Sequence, residues 1–377
     1  MNFSVNLLLY KPSFYLKPCL DSLLNQSYRD FELLVIDNNS GDGTAQRAEK
    51  ILNGSVKQPV KWRVIANTKN LGFAKGHNLG IKESEGEFIL FMNQDLILNG
   101  DFLKNIIGIF SSDEKAGAAQ GKMLRLKAED EKSVKKYVKE LTKGYETQTD
   151  QRSDKEPELS EKVGLVKSSI IDTTGLEIFK NRRIIARGQG QEDKGQFDKT
   201  EEIFGVDGSL PVYRRSALED LKISGFGLSG YEYFDEDFSA YKEDVDLAWR
   251  LRLAGWKAYY IPDAVAWHAR TSGDSAKTNY WGIIKERRKI EKFPKLFSFK
   301  NQRLMQIKNE QPGLLLKHIF HFFPKEAASW IYVILFERFT WRAFRELIRQ
   351  APTAFKKRKI IMAHKKIGAR EMKKWFK

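Results

Sequence analysis

Over the first hundred residues, short apolar runs alternate with stretches whose apolar positions recur at helical spacing. Ser4 to Tyr10, Phe31 to Ile36, Trp62 to Ala66 and Glu87 to Met92 have strand length and character. Phe14 to Asn25 (Leu16, Leu20, Leu23, Leu24), Thr44 to Leu52, His77 to Glu83 and Phe102 to Phe110 carry the helical period. Strands and helices in this order imply parallel βαβ units with right-handed crossovers. The carboxyl ends of such strands line the ligand crevice. Asp37 and Asp95 both stand at such ends. From Lys127 to Lys162 the pattern gives way to 19 charged residues in 36, which reads as a solvated insertion containing an amphipathic stretch (Val134, Tyr137, Val138, Leu141, Tyr145). The globular pattern then runs from Gly164 to about Ser272.

Composition narrows the class. With 377 residues, 41% hydrophobic and 30% charged, the chain suits one large domain with an appendage, not a collagenous or disordered protein. The single cysteine, Cys19, leaves no intramolecular disulfide to form. Met1 to Tyr10 lacks a basic start and a long apolar core, so no signal peptide is expected. The longest apolar run, Ala327 to Phe336, is shorter than the ~20 residues that span a bilayer.

The net charge of +16 is concentrated at one end. Lys277 to Lys377 holds 26 basic and 7 acidic residues (+19), leaving −3 for the rest. That tail also carries Phe320, Phe322, Phe323, Trp330, Ile331, Tyr332, Phe336, Phe339 and Trp341. Basic charge mixed with aromatics on helices predicts an anionic membrane surface as partner. A helical pair packed on the body with solvated lysines is the alternative. No nucleic-acid module is present, so no nucleic-acid partner is expected.

Three clusters bear chemistry. Asp37-Asn-Asn-Ser-Gly-Asp-Gly-Thr44 puts a carboxylate at a sheet edge, where it can accept from a nucleobase or ribose; a polar turn with helix caps explains the same residues. Asn70-Leu-Gly-Phe-Ala-Lys-Gly-His-Asn-Leu-Gly80 reads as a glycine-rich connection that fits neither phosphate-loop nor dinucleotide patterns. Between Glu232 and Asp246 lie seven carboxylates (Glu232, Asp235, Glu236, Asp237, Glu243, Asp244, Asp246) among aromatics. A helix from about Glu243 to Ala254 starts with acids that suit its dipole, but capping accounts for only one or two of them. A carboxylate at that start, walled by aromatics, suits a general base. His268 follows a strand-like run, as a structural histidine or a metal ligand.

In order and spacing, these segments together with Asn93-Gln-Asp95 and Lys242-Glu-Asp-Val-Asp-Leu…Arg250…Gly255-Trp resemble the family 2 glycosyltransferases over roughly residues 1 to 275. They are most similar to rhamnosyltransferase-like and galactofuranosyltransferase-like members. The resemblance implies an α/β fold of the GT-A type, with a mixed, mostly parallel central sheet flanked by helices. Residues 1–275 would be the transferase domain and 276–377 a basic, aromatic helical extension. It further implies a nucleotide-sugar donor (rhamnose among the sugars), Mg²⁺ or Mn²⁺, and inversion at the anomeric carbon. Asp37 would hold the base or ribose, with Asn39, Asn70, Gly72, Phe73, Asn78, Asn93 and Asp95 also on the donor side. Asp95 and His268 would hold the metal, and Asp244 would be the base, with Glu243 and Asp246 beside it. Asp235, Glu236 and Asp237 would face a glycan or polyprenyl-linked acceptor at the cytoplasmic face of a membrane. Two departures stand out: Asn93-Gln94-Asp95 offers one carboxylate where many members have two, and the first strand ends Leu9-Tyr10-Lys11-Pro12. The same residues leave room for a nucleotidyl- or phosphotransferase, and for a polyanion-binding protein without turnover.

Overall fold

The computed structural model describes residues 2–54, 60–128, 164–270 and 276–377. The charged insertion, apart from Lys127 and Ala128, lies outside them. Four strands, β1 (Phe3–Leu9), β2 (Phe31–Asp37), β3 (Lys61–Ala66) and β4 (Phe88–Asn93), pair in parallel in the order β4-β1-β2-β3. β1, β2 and β4 read as near-continuous apolar runs because parallel strands covered on both faces have no wet side. Helices α1 (Leu16–Leu24), α2 (Thr44–Asn53), α3 (Gly72–Glu83) and α4 (Phe102–Ser112) cover them.

The sheet continues through β5 (Leu96–Leu98), β6 (Ala116–Ala128), β7 (Leu165–Thr173), β10 (Glu201–Ile203), β11 (Pro211–Arg214) and β14 (Lys257–His268). Its main path is β10-β14-β6-β11-β4-β1-β2-β3, with β5 on β14 and β7 on β6. β11 runs antiparallel to both neighbours, while β6 and β14 are parallel. The result is a mixed ten-stranded sheet. Two short hairpins, β8 (Leu176–Ile178) with β9 (Ile184–Ala186) and β12 (Ile223–Ser224) with β13 (Tyr231–Glu232), lie apart from it.

One sequence expectation is corrected here. The glycine-rich stretch, expected as a connection, is mostly helix: α3 starts at Gly72, five residues before the predicted helix. Its glycines allow close packing of helix on sheet. A Cβ on Gly76 would lie 2.7 Å from Leu8 Cδ1, and one on Gly80 2.8 Å from Asn6 Nδ2.

The second half supplies α5 (Arg215–Leu221), α6 (Glu243–Leu253) and the C-terminal helices α7 (Tyr280–Lys289), α8 (Lys292–Asn309), α9 (Pro312–Lys317), α10 (Ile319–Phe336), α11 (Trp341–Ala363) and α12 (Ala369–Met372). The C-terminal helices are built into the body. Leu304, Met305, Ala354, Ile361, Met372 and Phe376 share one buried cluster with Val245, Ala248 and Trp249 of α6.

Candidate active site

A cleft of about 1350 Å³ opens along the carboxyl ends of the central strands and runs out between the C-terminal helices. β4 ends in Asn93, and the turn that follows places Asp95 in the cleft wall. β14 ends in His268, and its neighbour Ala269 donates its N–H to the Asp95 carbonyl (2.9 Å), which fixes the two chain ends together. His268 Nε2 lies 3.4 Å from Asp95 Oδ1, while Nδ1 sits 2.8 Å from Asp172 Oδ2. Asp172, fully buried on β7, is also bound by Arg270 (3.1 Å). Burial opposes charge on His268, but Asp95 and Asp172 more than reverse this and hold it at about 10.

A carboxylate backing one imidazole nitrogen while the other faces a second carboxylate is a common way of orienting a metal-binding histidine. Among the described residues no three His, Cys, Asp or Glu side chains converge. Asp95 and His268 thus offer at most two ligands; a cation there would displace the imidazolium proton and take its remaining ligands from substrate oxygens and water, as Mg²⁺ and Mn²⁺ do in nucleotide enzymes.

The start of α6 faces the same cleft. Lys242, Glu243 and Asp244 all line it, as do Asp207, Gly208 and Ser209. Asp244 is held by two backbone amides: Gly208 N–H donates to Oδ2 (3.1 Å) and Val245 N–H to Oδ1 (2.8 Å). Burial, then Asp207, raises its carboxyl to about 6, a value suited to accepting a proton near neutral pH. Burial and then Asp244 push Glu243 up to about 8, which favours its neutral form. The loop before α6 is strained, with left-handed backbone at Ser239, Tyr241 and Lys242 (φ 61°, 69° and 73°). It is tied down on both sides. Ser239 O accepts from Phe73 N–H (2.9 Å), and Asn301 Nδ2 of α8 donates toward the carbonyls of Phe238, Ala240 and Tyr241.

The other sequence-predicted residues divide. Phe73 and Asn93 line the cleft with Asp95. Asp37, Asn39, Asn70, Gly72 and Asn78 lie outside its lining. Asp37 accepts from the Ser40 amide (3.1 Å) and hydroxyl. Asn70 accepts from Asn38 Nδ2 and Gly72 N–H. Asn78 is a strap, accepting from Tyr233 and Phe234 N–H and donating to Phe234 O.

The acids expected on the acceptor side, Asp235, Glu236 and Asp237, lie outside the cleft lining, as does Asp246, expected beside the base. Asp235 and Asp246 are 2% and 0% exposed and face lysines from the C-terminal helices. Lys308 bridges Asp235 and Asp246, and Lys357 bridges Glu232, Asp235 and Asp237. Arg250 completes the shell on Asp246 (3.0 Å). Glu236 accepts from Asn78 Nδ2 (3.3 Å) and Leu228 N–H (3.1 Å). Within the acid-rich segment Glu243 and Asp244 thus face the cleft, while Glu232, Asp235, Asp237 and Asp246 act as counter-charges for lysines of the basic tail. Asp207, Asp172 and Lys242 were missed as site residues: the first two have no motif, and Lys242 reads as part of a charged turn.

Residues 9–175 match the model of the glycosyl transferase family 2. The match covers 167 of the 377 residues, so it is this part of the chain that is similar to that family. Poly(ribitol-phosphate) beta-N-acetylglucosaminyltransferase TarS of Staphylococcus aureus (strain Mu50) is 36% identical over 107 residues, 28% of this chain and 18% of TarS. The chain spans less than half the length of the curated relatives it matches. Among solved structures, S. aureus TarS 1–349 in complex with UDP-GlcNAc aligns over 96% of this chain and 91% of its own (TM-score 0.51, 18% identity). GalNAc-T7 with UDP, GalNAc and Mn²⁺ aligns over 82% of this chain and 48% of its own (TM-score 0.51, 11% identity). At these identities the likeness concerns the fold, which is GT-A.

Proposed function

We propose that the protein is an inverting family 2 glycosyltransferase, moving a sugar from a nucleoside-diphosphate donor to an acceptor hydroxyl. The observation that carries the reading is that Asp95 and Asp244, 149 residues apart in sequence, wall one cleft. Asp244, held by two amides and raised toward neutrality, takes the proton of the attacking hydroxyl. Neutral Glu243 beside it can donate a hydrogen bond without adding a second negative charge. Asp95 and the Asp172-oriented His268 would hold Mg²⁺ or Mn²⁺, which when bound neutralises the charge growing on the departing diphosphate. The Mn²⁺ in the GalNAc-T7 complex supports the metal, and the UDP-GlcNAc of the TarS complex supports a nucleotide-sugar donor.

The test is product analysis with a panel of UDP-, GDP- and dTDP-sugars, dTDP-rhamnose included, in Mn²⁺ and in chelator. Release of nucleoside diphosphate from one donor, abolished by chelator, is the expected result. Pyrophosphate release would make the protein a nucleotidyltransferase instead.

The acceptor is assigned to a glycan presented at an anionic membrane surface. Trp281, Leu316, Phe320, Phe323, Leu335 and Ile348 of the C-terminal helices are 61–88% exposed in a region of strong positive charge. Among the described residues no helix is long and apolar enough to cross a membrane, so this face would lie on the surface. Co-sedimentation with phosphatidylglycerol vesicles, weakened by salt and by Phe320→Glu with Phe323→Glu, is expected. Equal recovery of wild type and variant with the vesicles would end the assignment.

A further inference from the structure

Lys242 and Lys325 come from distant parts of the chain yet line one cleft beside the reacting centre. Lys242 sits immediately before α6 with left-handed backbone (φ 73°), so the chain accepts strain to place this side chain next to Asp244. Its ammonium is within electrostatic reach of Asp244, Glu243 and Asp207, but no hydrogen bond or ion pair engages it among the described residues. Lys325, on α10, has Glu326 at 3.5 Å. That carboxylate is shared: Arg303 holds it at 2.6 Å and Trp330 Nε1 donates to it at 2.9 Å. Burial, with Arg303 and Lys242 adding to it against Glu326, pushes Lys325 down to about 8. Arg183 lines the same wall, with Glu286 at 3.7 Å. Positive groups crowded into a partly dry cleft repel one another, and an anion placed between them removes that cost while gaining charge-assisted hydrogen bonds.

We propose that Lys242 and Lys325 form a phosphate-binding subsite for the acceptor, on the attacking side of the cleft. This rests on the glycosyl-transfer reading above. Asp95 and His268 lie on the donor-diphosphate side, whereas Lys242 adjoins the base, so the anion recognised here belongs to the molecule that brings the hydroxyl. Because Lys325 rides on α10, the subsite exists only with the C-terminal helices docked. Beyond it the cleft is walled by Ile283, Phe293, Ile331, Tyr332 and Phe336. Two sources share the chemistry: the phosphate joining a glycan to an apolar chain, whose tail would follow this wall, and a phosphate within a polyol-phosphate glycan.

The experiment is calorimetric titration of the full chain with farnesyl phosphate and with glycerol 3-phosphate, against farnesol and glycerol as phosphate-free controls. Lys242→Asn combined with Lys325→Met removes both charges, Asn being tolerated in left-handed backbone. Lys325→Arg alone is the conservative control. The expected result is saturable binding of at least one phosphate probe, weakened ~10-fold or more in the double variant and largely retained with Lys325→Arg. Farnesyl phosphate as the tighter probe identifies the lipid-linked source, and glycerol 3-phosphate the glycan source. Equal binding by wild type and double variant, or no saturable phosphate binding while nucleoside diphosphate still binds, overturns the subsite alone. Loss of nucleoside diphosphate binding in the wild type overturns the donor reading instead.

Discussion

Asp244→Asn lowers turnover by ~10²-fold or more, the usual range for loss of a positioned base, and leaves nucleoside diphosphate binding intact. The amide keeps the shape of the carboxylate but has a single acceptor oxygen, so it retains one of the two bonds from Gly208 and Val245 N–H, and thermal unfolding of the variant checks that the start of α6 holds. What is lost is the capacity to take the acceptor's proton. The wild-type pH profile follows from the same group. Its carboxyl is raised to about 6, so the reactive carboxylate is full above that value and disappears as pH falls through it. The logarithm of kcat/KM should therefore bend downward near pH 6, and this acid limb should vanish in the residual activity of Asp244→Asn. Near-wild-type turnover in the variant, with the acid limb unchanged, would remove Asp244 from the role. Asp246, two residues on, gives the contrast. It is fully buried between Arg250 and Lys308, so Asp246→Asn should show first as lost stability.

Lys308→Met and Lys357→Met carry the second large effect. Lys308 is fully buried and bridges Asp235 and Asp246; Lys357 is 2% exposed and bridges Glu232, Asp235 and Asp237. Burial works against the charge on Asp235, but the two lysines outweigh it and hold the carboxyl well below the usual range. Removing either lysine leaves buried carboxylates short of one cationic partner, and breaking a buried pair costs ~3–5 kcal/mol in comparable cases. Chemical denaturation should show it, and Lys308→Met combined with Asp235→Asn should cost less than the sum of the single changes. A loss below ~1 kcal/mol in both single variants would mean that the pairs contribute little beyond a hydrophobic replacement. The network also predicts that removal of residues 276–377 unfolds the remainder, since Asp235 would lose both lysines and Asp246 would lose Lys308.

How much of this was legible in the sequence follows the range of the interactions. The strands and helices from Phe3 to Ser112 have local causes, apolar runs and helical periods, and they match the expected elements to within a few residues except at the start of α3 and at the short β5, which had no expected counterpart. There the glycines suggested a loop because their partners, Leu8 and Asn6, lie on another element. Asp95, Asp244 and His268 stand at element ends, where position alone points to a crevice. The acid-rich segment was harder to read. Seven carboxylates near a helix start suggested substrate contacts, yet Asp235 and Asp246 are answered by Lys308 and Lys357, 62 or more residues downstream. The basic tail and the acidic segment each stand out in the sequence; only the fold shows that they are partly one interaction.

The most direct test of the central claim is a crystal structure of the full chain with Mn²⁺ and the nucleoside diphosphate selected by the donor panel, the metal located by its anomalous scattering. The account predicts Mn²⁺ between Asp95, His268 and the diphosphate, with the phosphate end facing Asp244 across the cleft. Mn²⁺ and nucleotide bound elsewhere, with Asp95 still closed on His268, would contradict it.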